Sequence, residues 1–197
     1  MKKRIFTVVF LIVLGAILWL GFSTSRAGYE SAEYKTIKKE GAFEIREYPE
    51  LRTVSTATSN EGRDGGFMRL FKYITGENEG EQKIAMTTPV FMPSDADEKP
   101  QSMHFVLPKE VSENGAPDPS RAGVALSTFE KGNYAVIRFS GKLDGERRAK
   151  ALQKLRSEIT SRNLTAVGAP IYAGYDSPWT PGPLRRNEVL VKIKTES

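Results

Sequence analysis

The composition of the 197-residue chain is that of an ordinary globular protein: 39% of its residues are hydrophobic and 27% are charged, which suits one domain. It contains no cysteine and one histidine, His104, so disulfides, thiolate ligands and multi-histidine metal sites are excluded. The formal net charge is +5 at pH 7, but four of the 29 basic residues lie in the first 27 positions, where there is no acidic residue. The other 25 nearly balance the 24 acidic residues, so we expect no nucleic-acid partner.

Residues 1–27 have the pattern of an export segment. Basic residues 2–4 precede an apolar run at 5–22, whose length fits the roughly 17–25 residues that span a bilayer and exceeds the roughly 7–15 of a cleavable signal core. Residues 25–27 (SRA) also have the form of a signal-peptidase site. We therefore predict an inner-membrane anchor with the domain in the periplasm or extracellular space, or an exported soluble form if cleavage follows Ala27.

Residues 28–197 are predicted to form the folded domain. A short polar linker at 23–33 would hold an anchored domain close to the bilayer. Strands are expected at 43–48, where apolar and charged residues alternate, and at 51–58, which is rich in β-branched residues. Such alternating charges usually form a solvated face.

A helix and two more strands follow. The helix has apolar residues at i, i+3, i+4 and i+7, and Gly76 can end it. Its stripe is Phe67, Leu70, Phe71 and Ile74. The two strands are expected at 83–92 and 102–107.

The second half repeats this order. A strand at 134–139 precedes a helix that Asp144 can cap, and strands at 170–176 and 187–193 close the chain. The helix has one apolar stripe, formed by Ala149, Leu152, Leu155 and Ile159. Two βαββ units that bury their helix stripes together predict one α+β domain, an antiparallel sheet or open barrel with two helices on it.

Four separated motifs carry a family resemblance. They are 43–49 (FEIREYP), 71–78 (FKYITGEN), 83–90 (KIAMTTPV), and 172–179 (YAGYDSPW) with 185–188 (RRNE). In this order they resemble the SOUL haem-binding family. The resemblance implies a distorted antiparallel β-barrel flanked by two helices, with non-covalent haem or a related tetrapyrrole in a hydrophobic surface cleft and no obligatory axial residue. The implied fold is also similar to effector-binding domains of the gyrase-inhibitor type.

The implied ligand site joins the first helix to the C-terminal loop. Its haem-binding residues are Phe67, Met68, Phe71, Lys72, Tyr175, Trp179, Arg185 and Arg186. Aromatic rings would cover the porphyrin face, and cationic side chains would pair with its propionates. Thr180 stands where some family members carry a lysine.

Helical spacing alone favours a core role for Phe67 and Phe71, which leaves Met68 and Lys72 as better site candidates. His104 alternates with apolar neighbours on a strand, which favours a hydrogen-bonded structural role over axial ligation of iron. We expect no catalytic residue and no metal site.

These observations favour a monomeric, membrane-anchored protein that binds haem without chemistry, for buffering or transport outside the cytoplasm. An enzyme of the hydrolase or dechelatase class, using Glu188 or a tyrosine as acid or base in the same cleft, is the alternative. A purely structural or interaction domain is a third interpretation.

Overall fold

The computed structural model describes residues 28–58, 63–177 and 179–194. The helices are α1 (Arg63–Ile74), α2 (Lys109–Asn114) and α3 (Gly145–Ser161), with a 3-10 turn at Gly182–Leu184. The strands are β1 (Glu30–Ser31), β2 (Lys35–Glu40), β3 (Phe43–Tyr48), β4 (Leu51–Ala57), β5 (Thr87–Thr88), β6 (Val90–Pro93), β7 (Ser102–Val106), β8 (Val124–Phe129), β9 (Gly132–Phe139), β10 (Ala166–Gly174) and β11 (Asn187–Ile193). The α+β class predicted from the sequence is confirmed.

The main sheet has nine antiparallel strands in the order β2-β3-β9-β11-β10-β6-β7-β4-β8, and β1 pairs with β5 in a small parallel sheet. The predicted strand-helix-strand-strand order is present in both halves, as β4-α1-β6-β7 and β9-α3-β10-β11. In each half the last strand lies between the other two, and the halves join where β6 pairs with β10.

The two halves also exchange strands. Strand β3 precedes β4 in the chain but pairs with β9, and β8 precedes β9 but pairs with β4. Each half therefore completes the other's part of the sheet, which makes them interdependent.

The distorted antiparallel β-barrel implied by the resemblance is present only as an open sheet, because the edge strands β2 and β8 do not pair with each other. Its ends nevertheless approach each other: the rings of Tyr48 on β3 and Phe129 on the edge strand β8 are 5.3 Å apart. The other edge strand, β2, is exposed along its whole length and rich in lysine, a composition that discourages further strand pairing. The sheet thus curls around an apolar interior without a hydrogen-bonded seam.

Helices α1 and α3 each cover part of the outer surface of the curled sheet. Leu70, Tyr73 and Ile74 of α1 pack in a cluster with residues of β4 and β7, among them Phe105. Gly76, at a φ of 122°, follows α1 in a conformation that suits glycine and ends the helix as predicted.

Helix α3 packs on β9, β10 and β11. The predicted cap is confirmed, since Asp144 Oδ1 accepts a hydrogen bond of 3.0 Å from the Arg147 amide. Leu152 and Leu155 are buried as expected. Ala149 is exposed, against the prediction, because it lies on the outer edge of the stripe, and Ala151 is buried instead.

Several elements differ from those predicted. The strand expected at 83–92 is divided into β5 and β6 at Pro89, which follows a cis peptide bond. Strands β1, β2 and β8 and the short helix α2 were not predicted. The predicted anchor, residues 1–27, lies outside the described residues, and within the described ones no helix has the length and apolar character to cross a membrane.

Candidate functional site

The outer face of α1 carries an exposed apolar patch, formed by Phe67, Met68 and Phe71. The rings of Phe67 and Phe71 are stacked, 5.9 Å apart and 15° from parallel, and Phe67 also packs edge-on against Phe105 of β7. Met68 is 45% exposed and Phe71 is 39% exposed. Phe67 thus supports the patch from below, while Met68 and Phe71 are exposed to solvent.

Lys72 lies beside this patch in the last turn of α1. Its Nζ is 3.4 Å from Glu77 Oε1, and Glu77 Oε2 also pairs with Arg121 at 3.2 Å. The Lys72–Glu77 pair is about half exposed, so its net interaction energy is small. A ligand carboxylate can therefore compete with Glu77 for Lys72 at low cost.

Tyr175 and Arg186 are two predicted haem contacts; Tyr175 is buried, Arg186 is partly buried, and both bond to Glu188. The Tyr175 hydroxyl donates to Glu188 Oε2 at 2.8 Å, and the Arg186 Nε and Nη2 donate to Glu188 Oε1 at 2.8 and 2.6 Å. The Arg186 guanidinium lies 3.9 Å from the centre of the Tyr175 ring. The contact role of these two residues stays a prediction; their observed contacts hold the base of the terminal loop together.

Arg46 is the principal residue that sequence reasoning missed. It is fully buried, and its Nη1 and Nη2 donate to the two oxygens of Glu188 at 2.7 and 2.9 Å. Its Nε donates to Glu44 and its Nη1 also to the Tyr48 hydroxyl. Burial by itself would lower the pKa of Arg46, but hydrogen bonding and charge from Glu188 raise it above its usual value.

Glu188 is the shared partner of both arginines. Burial raises the pKa of its carboxyl, but the hydrogen bonds and charges of Arg46 and Arg186 outweigh burial and hold this pKa below its usual range. Burial, followed by the Glu188 charge, raises the pKa of Tyr175 well above its usual value. A fully buried carboxylate that resists protonation is poorly suited to the general acid or base role of the enzyme alternative.

The tip of the terminal loop is exposed. Trp179 is 87% exposed and Leu184 is 66% exposed. Arg185 donates through Nε to the Thr180 carbonyl oxygen at 2.7 Å, which places its guanidinium against the loop. Thr180 itself is buried, and within the described residues its hydroxyl has no hydrogen-bond partner.

His104 lies on β7, with Nδ1 at 3.3 Å from Thr53 Oγ1 and Nε2 at 2.9 Å from Ser102 Oγ. Burial lowers the pKa of its imidazole. Both ring nitrogens therefore have partners within the fold, which favours the structural role. Across the described ranges, no group of three or more His, Cys, Asp or Glu residues has an arrangement that would hold a metal ion.

Two clefts are distinct from this surface. One of about 220 Å³ lies between β1, β4 and α2, and an open one of about 820 Å³ lies beside β2, β3 and the start of β9. Neither is lined by the predicted ligand residues. The α1 patch is thus part of neither cleft.

Comparison with known protein families gives a match to the model described as "SOUL heme-binding protein" over residues 29–192. The chain belongs to this SOUL family. Among curated relatives, it is 30% identical over 166 residues to heme-binding protein 2 of Mus musculus, covering 79% of this chain and 80% of the relative. It is 29% identical to heme-binding protein 1 of Xenopus laevis, covering 82% and 91%.

Solved structures of proteins with low sequence identity share this fold. The C-terminal domain of EcmrR matches the SOUL domain with a TM-score of 0.56 at 11% identity, covering 83% of this chain and 99% of that one. A hydrolase from Listeria innocua matches with a TM-score of 0.55 at 11% identity, covering 80% and 94%. At such low identity these matches establish the fold alone.

Proposed function

We propose that this SOUL protein binds haem or a related tetrapyrrole non-covalently on the outer face of α1, without performing chemistry on it. The observation that carries the proposal is the exposed apolar patch of Phe67, Met68 and Phe71 next to Lys72, in a chain whose curated relatives are named heme-binding proteins. A flat porphyrin ring can pack on the two phenyl rings, and a porphyrin propionate can form an ion pair with the Lys72 ammonium group.

Apolar burial is sufficient for useful affinity. Covering a few hundred Å² of porphyrin at about 25 cal/mol per Å² contributes on the order of 8–10 kcal/mol. Association entropy and side-chain ordering oppose this by an estimated 4 kcal/mol or more. Micromolar binding therefore needs no bond from the protein to iron.

We further propose that residues 5–22 tether the domain outside the cytoplasm, where it buffers or transports its ligand. The support is the basic-apolar pattern of residues 1–27 and the short linker at 23–33. Release of a soluble form after Ala27 is the competing outcome, which the intact mass of the native protein decides. The hydrolase or dechelatase alternative has less support, because its carboxylate candidate Glu188 is enclosed by two arginines.

The test of binding is a titration of the full chain, in detergent micelles, with haemin. We expect a saturable Soret change at micromolar haemin and a loss of affinity of about tenfold in Phe71→Ser, since such a loss equals roughly 1.4 kcal/mol of apolar contact. The matched control is Ile37→Ser, which changes an exposed apolar side chain on β2. Absence of a saturable Soret change, or equal losses in both variants, would contradict the proposal.

A further inference from the structure

Trp179 and Leu184 are the two most exposed large hydrophobic side chains of the described residues. Both belong to the terminal loop between β10 and β11. Exposure of a large part of an indole and of an isobutyl group five positions apart on one loop is unfavourable in water, and such exposure is typical of a surface that binds another phase or molecule. The two clefts are lined by other residues, so neither accounts for these side chains.

The loop holds these side chains outward on a fixed base. The Tyr175 amide donates to the Arg186 carbonyl oxygen at 3.2 Å, and the Arg186 amide donates to Asp176 Oδ2 at 2.5 Å. Farther along the loop, the amide of Gly141, which follows β9, donates to the Gly182 carbonyl oxygen at 3.0 Å. Prolines on either side of Gly182 restrict the backbone further. These bonds and prolines together restrict movement of the loop backbone.

The same loop base lies near the start of the domain. Arg186 Nη2 is 3.3 Å from the Tyr34 hydroxyl, and Arg46 stacks over the Tyr34 ring at 4.2 Å. Only residues 23–33 separate Tyr34 from the apolar run at 5–22, and a fully extended chain of that length reaches roughly 40 Å. A bilayer that holds residues 5–22 is therefore within reach of the terminal loop.

We propose that Trp179 and Leu184 insert into the interfacial layer of the bilayer that holds residues 5–22. Tryptophan prefers this layer because its ring is apolar while its N–H can bond to headgroups, and leucine suits the adjoining acyl region. Lys142 is exposed next to Gly141, where it can approach lipid phosphates. The tether raises the effective concentration of lipid, so two apolar side chains suffice for binding.

This inference rests on the membrane tether proposed above. Tether and loop together give two points of attachment, which fix the orientation of the domain on the membrane. In this arrangement Trp179 contacts lipid and the α1 patch alone contacts the tetrapyrrole. The family resemblance instead predicts that Trp179 contacts haem.

The experiment uses the full chain in vesicles of phosphatidylcholine and phosphatidylglycerol, with and without brominated acyl chains. The chain has two tryptophans, Trp19 and Trp179, so Trp19→Phe leaves Trp179 as the single reporter. We expect brominated lipid to quench its emission by about half and vesicles to reduce quenching by aqueous acrylamide several-fold. If the Trp19→Phe variant inserts poorly, the Trp179→Phe variant is measured instead. Its emission comes from Trp19 alone, and subtracting it from the emission of the native chain gives the contribution of Trp179.

Leu184→Ser should weaken the lipid quenching of Trp179, whereas Ile37→Ser, on the edge strand β2, should leave it unchanged. Equal acrylamide access with and without vesicles, or no effect of brominated lipid, overturns the inference. If the native protein is cleaved near Ala27 and the released domain does not bind vesicles, both the proposed tether and this inference are wrong.

Haemin titration of the same Trp19→Phe sample separates this inference from the proposed binding function. Lipid quenching without a Soret change would support the loop assignment and contradict haem binding. A Soret change with no lipid quenching, accompanied by haemin quenching of Trp179, would place the loop at the ligand and overturn the inference while haem binding stands.

Discussion

Arg46 and Glu188 form a fully buried bidentate ion pair across 142 positions of the chain, with N–O distances of 2.7 and 2.9 Å. Arg46 lies on β3 and Glu188 on β11, and β9 runs between these strands in the sheet. The pair therefore joins the first motif of the sequence to its last. Because Glu188 also accepts from Arg186 and Tyr175, the same pair fixes the base of the terminal loop.

The first prediction is that Glu188→Gln strongly destabilises the fold. It leaves the buried guanidinium of Arg46 with one carboxylate partner, Glu44, and removes the anion shared with Arg186. Loss of one partner of a buried pair typically costs about 3–5 kcal/mol of unfolding free energy. Urea unfolding followed by circular dichroism measures this change.

The matched control is Glu146→Gln on α3. Glu146 pairs with Lys150 at 2.7 Å, but both side chains are largely exposed. Solvent screens such an exposed pair, so the unfolding free energy of this variant should hardly change. Similar losses in the two variants would contradict the central role of the Arg46–Glu188 pair.

The motif at 43–48 shows why this network was missed. Its alternation correctly predicts strand β3, and the expected solvated face is the wrong part of the interpretation. Phe43 packs under α3, while Tyr48 packs in the interior of the curled sheet, so both faces of the strand are covered. Arg46 shares the interior face with Tyr48, two positions away. Glu44 on the same strand compensates part of its charge, but the bidentate partner Glu188 is 142 positions away, and local sequence does not encode that pairing.

The second prediction concerns pH and His104. Burial lowers its folded pKa below the ordinary value of 6.5, so the unfolded state binds more protons in the window between the two pKa values. Stability from the neutral imidazole is therefore complete above pH 6.5 and decreases as the pH falls through that value. Unfolding free energies at about pH 7.5 and 5.5 should differ less in His104→Gln than in the native chain.

The same variant tests axial ligation. Because Thr53 and Ser102 occupy the two ring nitrogens of His104, His104→Gln should leave the Soret maximum of the haemin complex unchanged. A shifted Soret band with an intact fold would instead establish His104 as an iron ligand.

The third prediction concerns the stripe of α3. Leu155 is fully buried between the helix and the sheet, so Leu155→Ala should lose about 2–5 kcal/mol of unfolding free energy. Ala149→Ser, at the exposed position wrongly predicted as part of the stripe, should change it by less than about 0.5 kcal/mol. Urea unfolding measures both variants, and a large loss in Ala149→Ser would contradict the observed packing.

The terminal loop marks the limit of inference from the sequence. Its flanking strands followed from two apolar runs, and its prolines and glycine indicated a turn. The sequence did not distinguish the inward Arg186 from the outward Trp179, because that difference depends on where Glu188 and Tyr34 lie in the folded sheet. The exposure of Met68 and Lys72 was easier to infer, since a helix with one buried stripe presents the residues on its shoulder to solvent.

The last prediction uses the exposed Lys72–Glu77 pair, at 3.4 Å, to test where a propionate binds. Lys72→Gln should weaken haemin binding, because the patch loses its adjacent cation. Glu77→Gln should strengthen it, because the carboxylate that competes for Lys72 is removed. Each change should be about two- to fivefold, the range expected for about 0.5–1 kcal/mol at an exposed site. Both effects should diminish in roughly 1 M salt, where the Debye length falls to about 3 Å.

Glu146→Gln, which changes the charge equally on α3, should leave the affinity unchanged. Equal effects of Glu77→Gln and Glu146→Gln would mean that net charge alone governs binding and would contradict a propionate contact at Lys72.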